Sequence, residues 1–316
     1  MAQVIAARAD RTVLGIGIIL ASVLTMAFAD AVVKLVSADL TLWQVFAARS
    51  LVAIQIIVAL LLVTGVGLKA RAPLWAALRS ALLVLTWIFF YASLPVLSLS
   101  VAAVAVYTNP IVTALLSALL IGETVGARRW CGVLLGFLGV VAILKPGTDA
   151  FSWFTLLPLV AAVLYSLAMV LTRAKCRDEA PLTLALALHG GFLIAGLIAT
   201  AVLAMIGLEA GASDYPFLLG GWAPMGGESW GLMALLGVLS AAYFVGVARA
   251  YQIAPPSLIA TFDYGYLVSA ALWGFVFFAE TPDLLTICGM ILITAAGLLV
   301  AAPSAKTRPT GKAGTA

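Results

Sequence analysis

Charge is what this sequence has least of. Charged residues make up 9% of its 316 positions and hydrophobic ones 64%, against about 25% and 45–50% in soluble domains. So few charges cannot cover a water-soluble globule, which excludes an ordinary cytosolic enzyme. The apolar content excludes a disordered chain. Histidine is nearly absent: His189 stands alone, so a zinc site of the usual His/Cys kind is excluded, and no metal is expected. The three cysteines, Cys131, Cys176 and Cys288, show neither a disulfide framework nor metal-ligand spacing, and no cofactor is implied. The net charge of +4 comes from Lys and Arg spread along the chain, without the clustered basic face that nucleic acid needs. Walker, H-E-x-x-H, G-x-S-x-G and paired Asp-rich motifs are all missing.

What the sequence has is long apolar runs. They predict an all-α polytopic membrane protein with ten transmembrane helices, near 12–36, 41–67, 74–94, 98–121, 126–145, 152–173, 181–208, 230–252, 256–280 and 283–302. Pro95 and Pro255-Pro256 mark turns inside pairs that otherwise run together. The first run is too long for a signal-peptide core and ends in Asp30 and Lys34, so it reads as a retained helix. Basic residues then set the orientation. Arg8 and Arg11, Lys69 and Arg71, Arg128 and Arg129, Arg173, Lys175 and Arg177, and Lys306, Arg308 and Lys312 all fall on one side. The other side holds Lys145 and the acids Asp39, Glu209, Asp214, Glu228 and Asp283. Both termini are therefore expected in the cytoplasm of a bacterial inner-membrane protein, with the bilayer as its surroundings. Of the four basic residues inside spans, Arg79 is expected to snorkel to the inner interface.

The chain also repeats itself. YTNPIVTALLSALLIGETVGARRWCG aligns with YGYLVSAALWGFVFFAETPDLLTICG at one offset, so that Tyr107 meets Tyr264, Glu123 meets Glu280, Thr124 meets Thr281, Cys131 meets Cys288 and Gly132 meets Gly289. Five helices per unit is odd, so the second unit enters from the opposite side. The expected architecture is two inverted five-helix repeats around a central cavity, the usual scaffold of a secondary transporter. The units are 12–147 and 148–302, flanked by a cytoplasmic N-terminus, 1–11, and a tail, 303–316.

These motifs resemble the drug/metabolite transporter superfamily, in particular its EamA-type ten-helix carriers. The resemblance rests on Asn109-Pro110, on Gly122-Glu123 with Arg128-Arg129-Trp130, Gly132, Gly136 and Gly139, and on Pro146-Gly147. In the second unit it rests on Phe262-Asp263-Tyr264 and on Ala279-Glu280-Thr281-Pro282 with Gly289. Ala279 departs from the glycine that is usual there. Asp30, Lys34 and the Phe262-Asp263-Tyr264 run are similar to the branch of S-adenosylmethionine uptake carriers. Membership implies transport of a small molecule, such as an amino acid, a nucleotide-like metabolite, a vitamin, a quaternary amine or a drug. It also implies that the third, fourth, eighth and ninth spans line the cavity.

An intramembrane charge costs at least about 2.5–3.5 kcal/mol at a helix centre, so each one is a candidate for function. At 1.5 Å per residue, Asp30 lies about 9 Å and Arg49 about 12 Å below the outer surface. Lys34, one turn beyond Asp30 on the same face, can pair with it. Asp263, Arg249 and His189 are expected to form a second cluster near the inner surface, with His189 the counterpart of Arg49. The six are candidates for gates or proton sites, the alternative being static ion pairs that hold helices in register. A proton is the candidate coupling ion.

Candidates for the cavity wall are Trp87, Tyr91, Tyr107, Asn109, Tyr243, Phe262, Tyr264 and Tyr266, whose ring faces suit a planar or cationic organic cargo. Pro110 and Gly265 weaken the helices beside them. Pro110, Glu123, Gly132, Glu280 and Gly289 form the structural repeat motif. Glu280 is expected to serve the helix that follows it, with Thr281 as cap and Pro282 as first helical residue. Gly132, Gly136 and Gly139 let helices approach closely. Trp43 and Trp153 fit an interfacial belt, and the Gly- and Pro-rich loop 209–229 reads as a non-helical connector. The expected function is secondary transport by alternating access, in a monomer or homodimer. A membrane enzyme acting on lipid or isoprenoid and a channel are the alternatives.

Overall fold

The computed structural model describes residues 2–122, 127–144, 152–207 and 214–301; side chains 2–11, 128–130, 133, 140, 143, 144, 261, 297, 300 and 301 are not described. Thr124 and the expected features Glu123, Lys145, Pro146-Gly147, Glu209 and the basic tail lie outside these residues. Within them the chain is all-helical. The helices are α1 (Ala2–Val36), α2 (Leu42–Thr64), α3 (Pro73–Ser93), α4 (Leu99–Val106), α5 (Asn109–Ile121), α6 (Ala127–Leu144), α7 (Leu156–Lys175), α8 (Pro181–Ile206), α9 (Pro216–Leu219), α10 (Gly227–Ile253), α11 (Pro256–Phe262), α12 (Gly265–Phe278) and α13 (Leu284–Ala301). Eight segments are long and apolar enough to cross a membrane, counting 99–121 and 256–278 as one span each. The 18-residue helices α6 and α13 pack against one another.

Local chemistry explains the ends. Thr41 and Gln44 close a capping box on α2, whose far end stops at Gly65 in the left-handed region. Pro73 opens α3, and Pro181 opens α8, where a missing N–H costs nothing. The buried Glu179 carboxylate accepts the Arg71 and Ala72 amides at the start of α3. Asp283, not Thr281, caps α13 by accepting the Thr286 amide, 2.9 Å, and Pro282 lies outside the helix.

Two spans are broken at matching places. α4 stops at Val106, and two residues separate it from the Asn109-Pro110 start of α5. α11 stops at Phe262, and two residues separate it from the Gly265 start of α12. Proline withholds an amide from the ladder and glycine favours an open backbone, so each break falls where the sequence weakens the helix. The Ser166 hydroxyl of α7 lies 2.7 Å from the Ala162 carbonyl of its own helix and 3.1 Å from the Asn109 carbonyl, so α7 meets the first break.

Packing is symmetric under exchange of the halves. α1 packs on α10 as α7 packs on α3, and α1 on α12 as α7 on α5. α2 packs on α10 as α8 packs on α3, and α4 on α12 as α11 on α5. The self-matching pairs, α2 with α8 and α6 with α13, sit across the axis of this exchange. Small residues bring their backbones together: a Cβ on Gly139 would stand 2.9 Å from the Gly289 carbonyl, and one on Gly196 only 2.6 Å from that of Trp43.

Loop 209–229 differs from expectation. It contains the one-turn helix α9 with Phe217 buried beneath it. At the start of α2 the Trp43 indole donates to the Leu218 carbonyl, 2.7 Å, while Gln44 Nε2 donates to Ala223 O, 2.6 Å. The composition hid this turn because its hydrogen bonds and burial come from α2, which is distant in sequence.

Candidate functional site

Between the two helix breaks lies a cavity. Its wall is formed by Met26 and Asp30 of α1, Thr86, Trp87 and Phe90 of α3, Val106, Tyr107 and Asn109 at the first break, Tyr165 of α7 and Tyr266 of α12. The cavity volume is about 20 Å³, enough for a water and not for a metabolite. The wall must part to admit organic cargo. Tyr107 and Tyr266 stack at 4.6 Å with rings 18° apart. Trp87 Nε1, Asn109 Oδ1 and the Tyr165 hydroxyl make no hydrogen bond among the described residues, so the wall offers polar groups beside its aromatic faces.

Asp30 is fully buried. It accepts the Tyr91 hydroxyl on Oδ1, 2.8 Å, and the Tyr266 hydroxyl on Oδ2, 2.7 Å. Arg49, equally buried, donates from Nη1 to the same Tyr91 oxygen, 3.1 Å. One hydroxyl therefore bridges a carboxylate and a guanidinium. Three rings, those of Phe46, Tyr91 and Phe192, stand 4.9–5.3 Å from the guanidinium carbon, close enough for cation–π attraction. Arg49 can sit there because glycines thin the neighbouring helices. A Cβ on Gly237 of α10 would lie 2.8 Å from the Arg49 carbonyl.

Several expected partnerships are different. Lys34 does not pair with Asp30. Its ammonium makes an ion pair with Glu280, 2.6 Å, and donates to the Leu97 carbonyl, 2.8 Å. Glu280 in turn accepts the Leu99 amide, 2.8 Å, at the start of α4. It thus ties α1, α4 and the end of α12 together and does not serve the helix after it. His189 does not join Asp263. Its Nδ1 lies 3.3 Å from Ser50 Oγ, and its ring packs against Phe192 and Phe244, beside Arg49. The two counterparts meet because α2 and α8 face each other across the exchange axis. Arg249 is exposed and borders a surface hollow with Lys69, Arg71 and Arg177. Arg79 does not snorkel: it is buried and donates from Nε to Thr172, 2.7 Å. Just past α7, burial pushes the Cys176 thiol up from its ordinary pKa.

Asp263 lies at the second break, fully buried. Oδ2 accepts the Tyr251 hydroxyl, 2.7 Å, and Oδ1 has no hydrogen bond among the described residues. Of the expected cavity residues, Trp87, Tyr107, Asn109 and Tyr266 line the wall. Tyr91 stands behind Asp30, Tyr243 packs on Phe244 at 4.4 Å, Tyr264 is buried and Phe262 half-buried against the core. Tyr165 and Tyr251 were missed. The signal available was a phenol inside an apolar span, alone in α7 and two turns beyond Tyr243 in α10, because a buried hydroxyl in lipid needs a partner.

Broken helices, symmetric packing and a polar centre inside apolar spans define a polytopic membrane protein built as secondary transporters are. Residues 13–145 match the EamA-like transporter family. The chain is similar to bacterial small-molecule transporters along most of its length. It is 27% identical to the pseudopaline exporter CntI of Pseudomonas aeruginosa, over 89% of this chain and 94% of that one. It is 28% identical to a riboflavin transporter of Rhizobium johnstonii, over 70% and 67%, and 24% identical to an S-adenosylmethionine uptake transporter of Rickettsia felis, over 74% and 73%. A solved crystal structure at 19% identity shares the fold, with a TM-score of 0.65 over 92% of this chain and 96% of that one.

Proposed function

We propose that this protein is a secondary carrier of a small organic metabolite in a bacterial inner membrane, working by alternating access between inverted repeats, 12–147 and 148–302. The observation that carries the reading is the central cavity between two matched helix breaks, with Asp30 in its wall. Ten spans with both termini cytoplasmic agree with the placement of the basic loops. They put the α1–α2 turn outside and the α2–α3 turn inside.

In this orientation the Lys34–Glu280 pair lies at the outer end, where it ties α1 to the start of α4. It is a candidate outer gate. Asp30, Arg49 and His189 form the outer-half polar centre, and Asp263 with Tyr251 the inner one, a candidate proton site. Arg249 faces the inner hollow, where it can meet cargo only after release. The chain's similarity to transporters supports reading it as a carrier and not an enzyme.

The test is flux in proteoliposomes loaded with S-adenosylmethionine, riboflavin, amino acids or quaternary amines. A carrier shows saturable uptake that is accelerated by cargo on the far side. Flux linear in concentration would mean a channel, and a chemically altered product an enzyme; either result overturns the reading.

A further inference from the structure

Four cationic side chains meet at one end of the bundle. Lys69 and Arg71 come from the α2–α3 turn, Arg177 from the α7–α8 turn and Arg249 from near the end of α10. They line a hollow of about 500 Å³ that shares no residue with the wall of the central cavity. α2, α7 and α10 finish here, and α3 and α8 begin. The hollow therefore lies at a membrane–water boundary.

Its positive charge is not neutralised from within. The carboxylates in its wall are Asp178 and Glu179. Glu179 is buried and spends both oxygens on the Arg71 and Ala72 amides. None of the four cations makes an ion pair or a side-chain hydrogen bond among the described residues. α8 adds to the positive field. It opens on Ala180 and Pro181 without a side-chain cap, so the positive end of a 26-residue helix stands in the wall. Orientation in a membrane requires only that cations lie on one side, not that they converge. Convergence from three distant stretches of sequence makes a seat for an anion.

The surface beside the hollow is apolar. Leu68, next to Lys69, is exposed, and so are Leu74 and Leu78, one turn apart on α3. Between them the Trp75 ring carries the Lys175 ammonium 5.2 Å from its centre, as an interfacial anchor does. A soluble anion would use the cations alone. A phospholipid uses both parts, its phosphate in the hollow and its chains on the apolar face.

We propose that the hollow is a binding site for an anionic phospholipid, with the phosphate held by Lys69, Arg177 and Arg249 and the acyl chains laid along Leu74 and Leu78. The ligand class is a phosphodiester lipid of net negative charge, such as phosphatidylglycerol or cardiolipin. Basic pockets at helix ends suit such headgroups, and a planar guanidinium takes two phosphate oxygens side by side. A lipid held there spans the two halves of the chain, since Lys69 belongs to the first and Arg177 and Arg249 to the second.

The experiment uses the full chain, delipidated in detergent, with phosphatidylglycerol, cardiolipin, phosphatidylcholine or glycerol 1-phosphate added. Binding is read by native mass spectrometry and by thermal shift. The two anionic lipids are expected to bind about tenfold or more tightly than phosphatidylcholine, with a preference that falls as salt rises. The triple variant Lys69→Gln/Arg177→Gln/Arg249→Gln is expected to lose that preference, since each cation beside an anionic lipid contributes about fivefold. Its control, Lys306→Gln/Arg308→Gln/Lys312→Gln, removes the same charge from the C-terminal tail and should keep the preference. If the first variant does not fold, the comparison of probes on the wild-type chain decides by itself. Equal binding of anionic lipid and phosphatidylcholine overturns the inference. So does an equal loss in the tail variant, which would reduce the effect to net charge. Glycerol 1-phosphate binding as tightly as the lipids overturns it too, because the occupant would then be a soluble phosphate. None of these outcomes bears on saturable flux, which tests the carrier reading separately.

Discussion

Two buried aspartates, one in each half of the chain, are held in unequal ways. Both accept a tyrosine hydroxyl, from Tyr91 and Tyr251, and these tyrosines correspond: each lies two residues before the end of its helix, α3 or α10. The acceptors do not correspond. Asp30 rides the unbroken α1, has both oxygens filled and reaches Arg49 through one hydroxyl. Asp263 sits in a helix break with one oxygen unfilled and no ion pair among the described residues. The scaffold is repeated while the charges are not, so the halves share packing and divide the chemistry. On the proposed carrier reading, Asp30 is the candidate for matching cargo charge and Asp263 the candidate proton site.

The sharpest way to break this comparison is to remove the charges of the first centre singly and together. Asp30→Asn leaves the Arg49 cation without its counter-charge, and Arg49→Gln leaves Asp30 so. Leaving a buried charge without its counter-charge is costly. Each single variant is expected to lose most transport and to melt markedly earlier. The double variant should cost clearly less than the two singles added. Additive losses in thermal melts would show that the Tyr91 bridge couples nothing, and Asp30 would then be no different in kind from Asp263.

Asp263→Asn has a smaller expected effect on stability. No ion pair is broken, and an amide oxygen still accepts the Tyr251 hydroxyl, so the loss should stay near 1 kcal/mol. Its effect belongs to function. If Asp263 carries the coupling proton, flux by the variant becomes insensitive to a pH gradient while cargo binding persists. A stability loss as large as that of Asp30→Asn would erase the contrast, and unchanged pH dependence would remove the proton role.

How much of this was legible in the sequence follows the range over which each interaction acts. Spans follow from local hydropathy, and the weak points at Pro110 and Gly265 from the chemistry of single residues. Both survive in the structure as helices and breaks. The company of Asp30 and Arg49 was legible too, since depth can be counted along two antiparallel helices. The partner of Lys34 was not. Spacing along one helix offered Asp30 four residues away, but Glu280 lies 246 residues distant and is brought there by the packing of α12 on α1. His189 failed for a related reason. Its depth was countable, yet only the close approach of α8 to α2, which Gly196 permits, places it beside Ser50. Arg79 lies near a span end, where snorkelling is the usual outcome. The Thr172 hydroxyl on the adjoining α7 turns it inward instead.

The smallest expected effect concerns a helix cap at which the repeat departs from itself in backbone chemistry. Gly122 and Ala279 cap α5 and α12 at corresponding positions, and both are left-handed, with φ of +71° and +51°. Glycine takes this conformation freely, whereas a Cβ there costs roughly 1–2 kcal/mol. Ala279→Gly removes that penalty and adds chain entropy to the unfolded state worth about 0.5–1 kcal/mol. The balance is a gain of up to about 1 kcal/mol, read as a slightly higher melting temperature. Gly122→Ala should move the first half the other way by about 1 kcal/mol. Ala279 also adjoins Glu280, which holds Lys34 and the start of α4. Easing its backbone should therefore steady the closed outer end and slow exchange slightly. Equal responses of the same sign at both positions would show that the two caps carry no difference in strain.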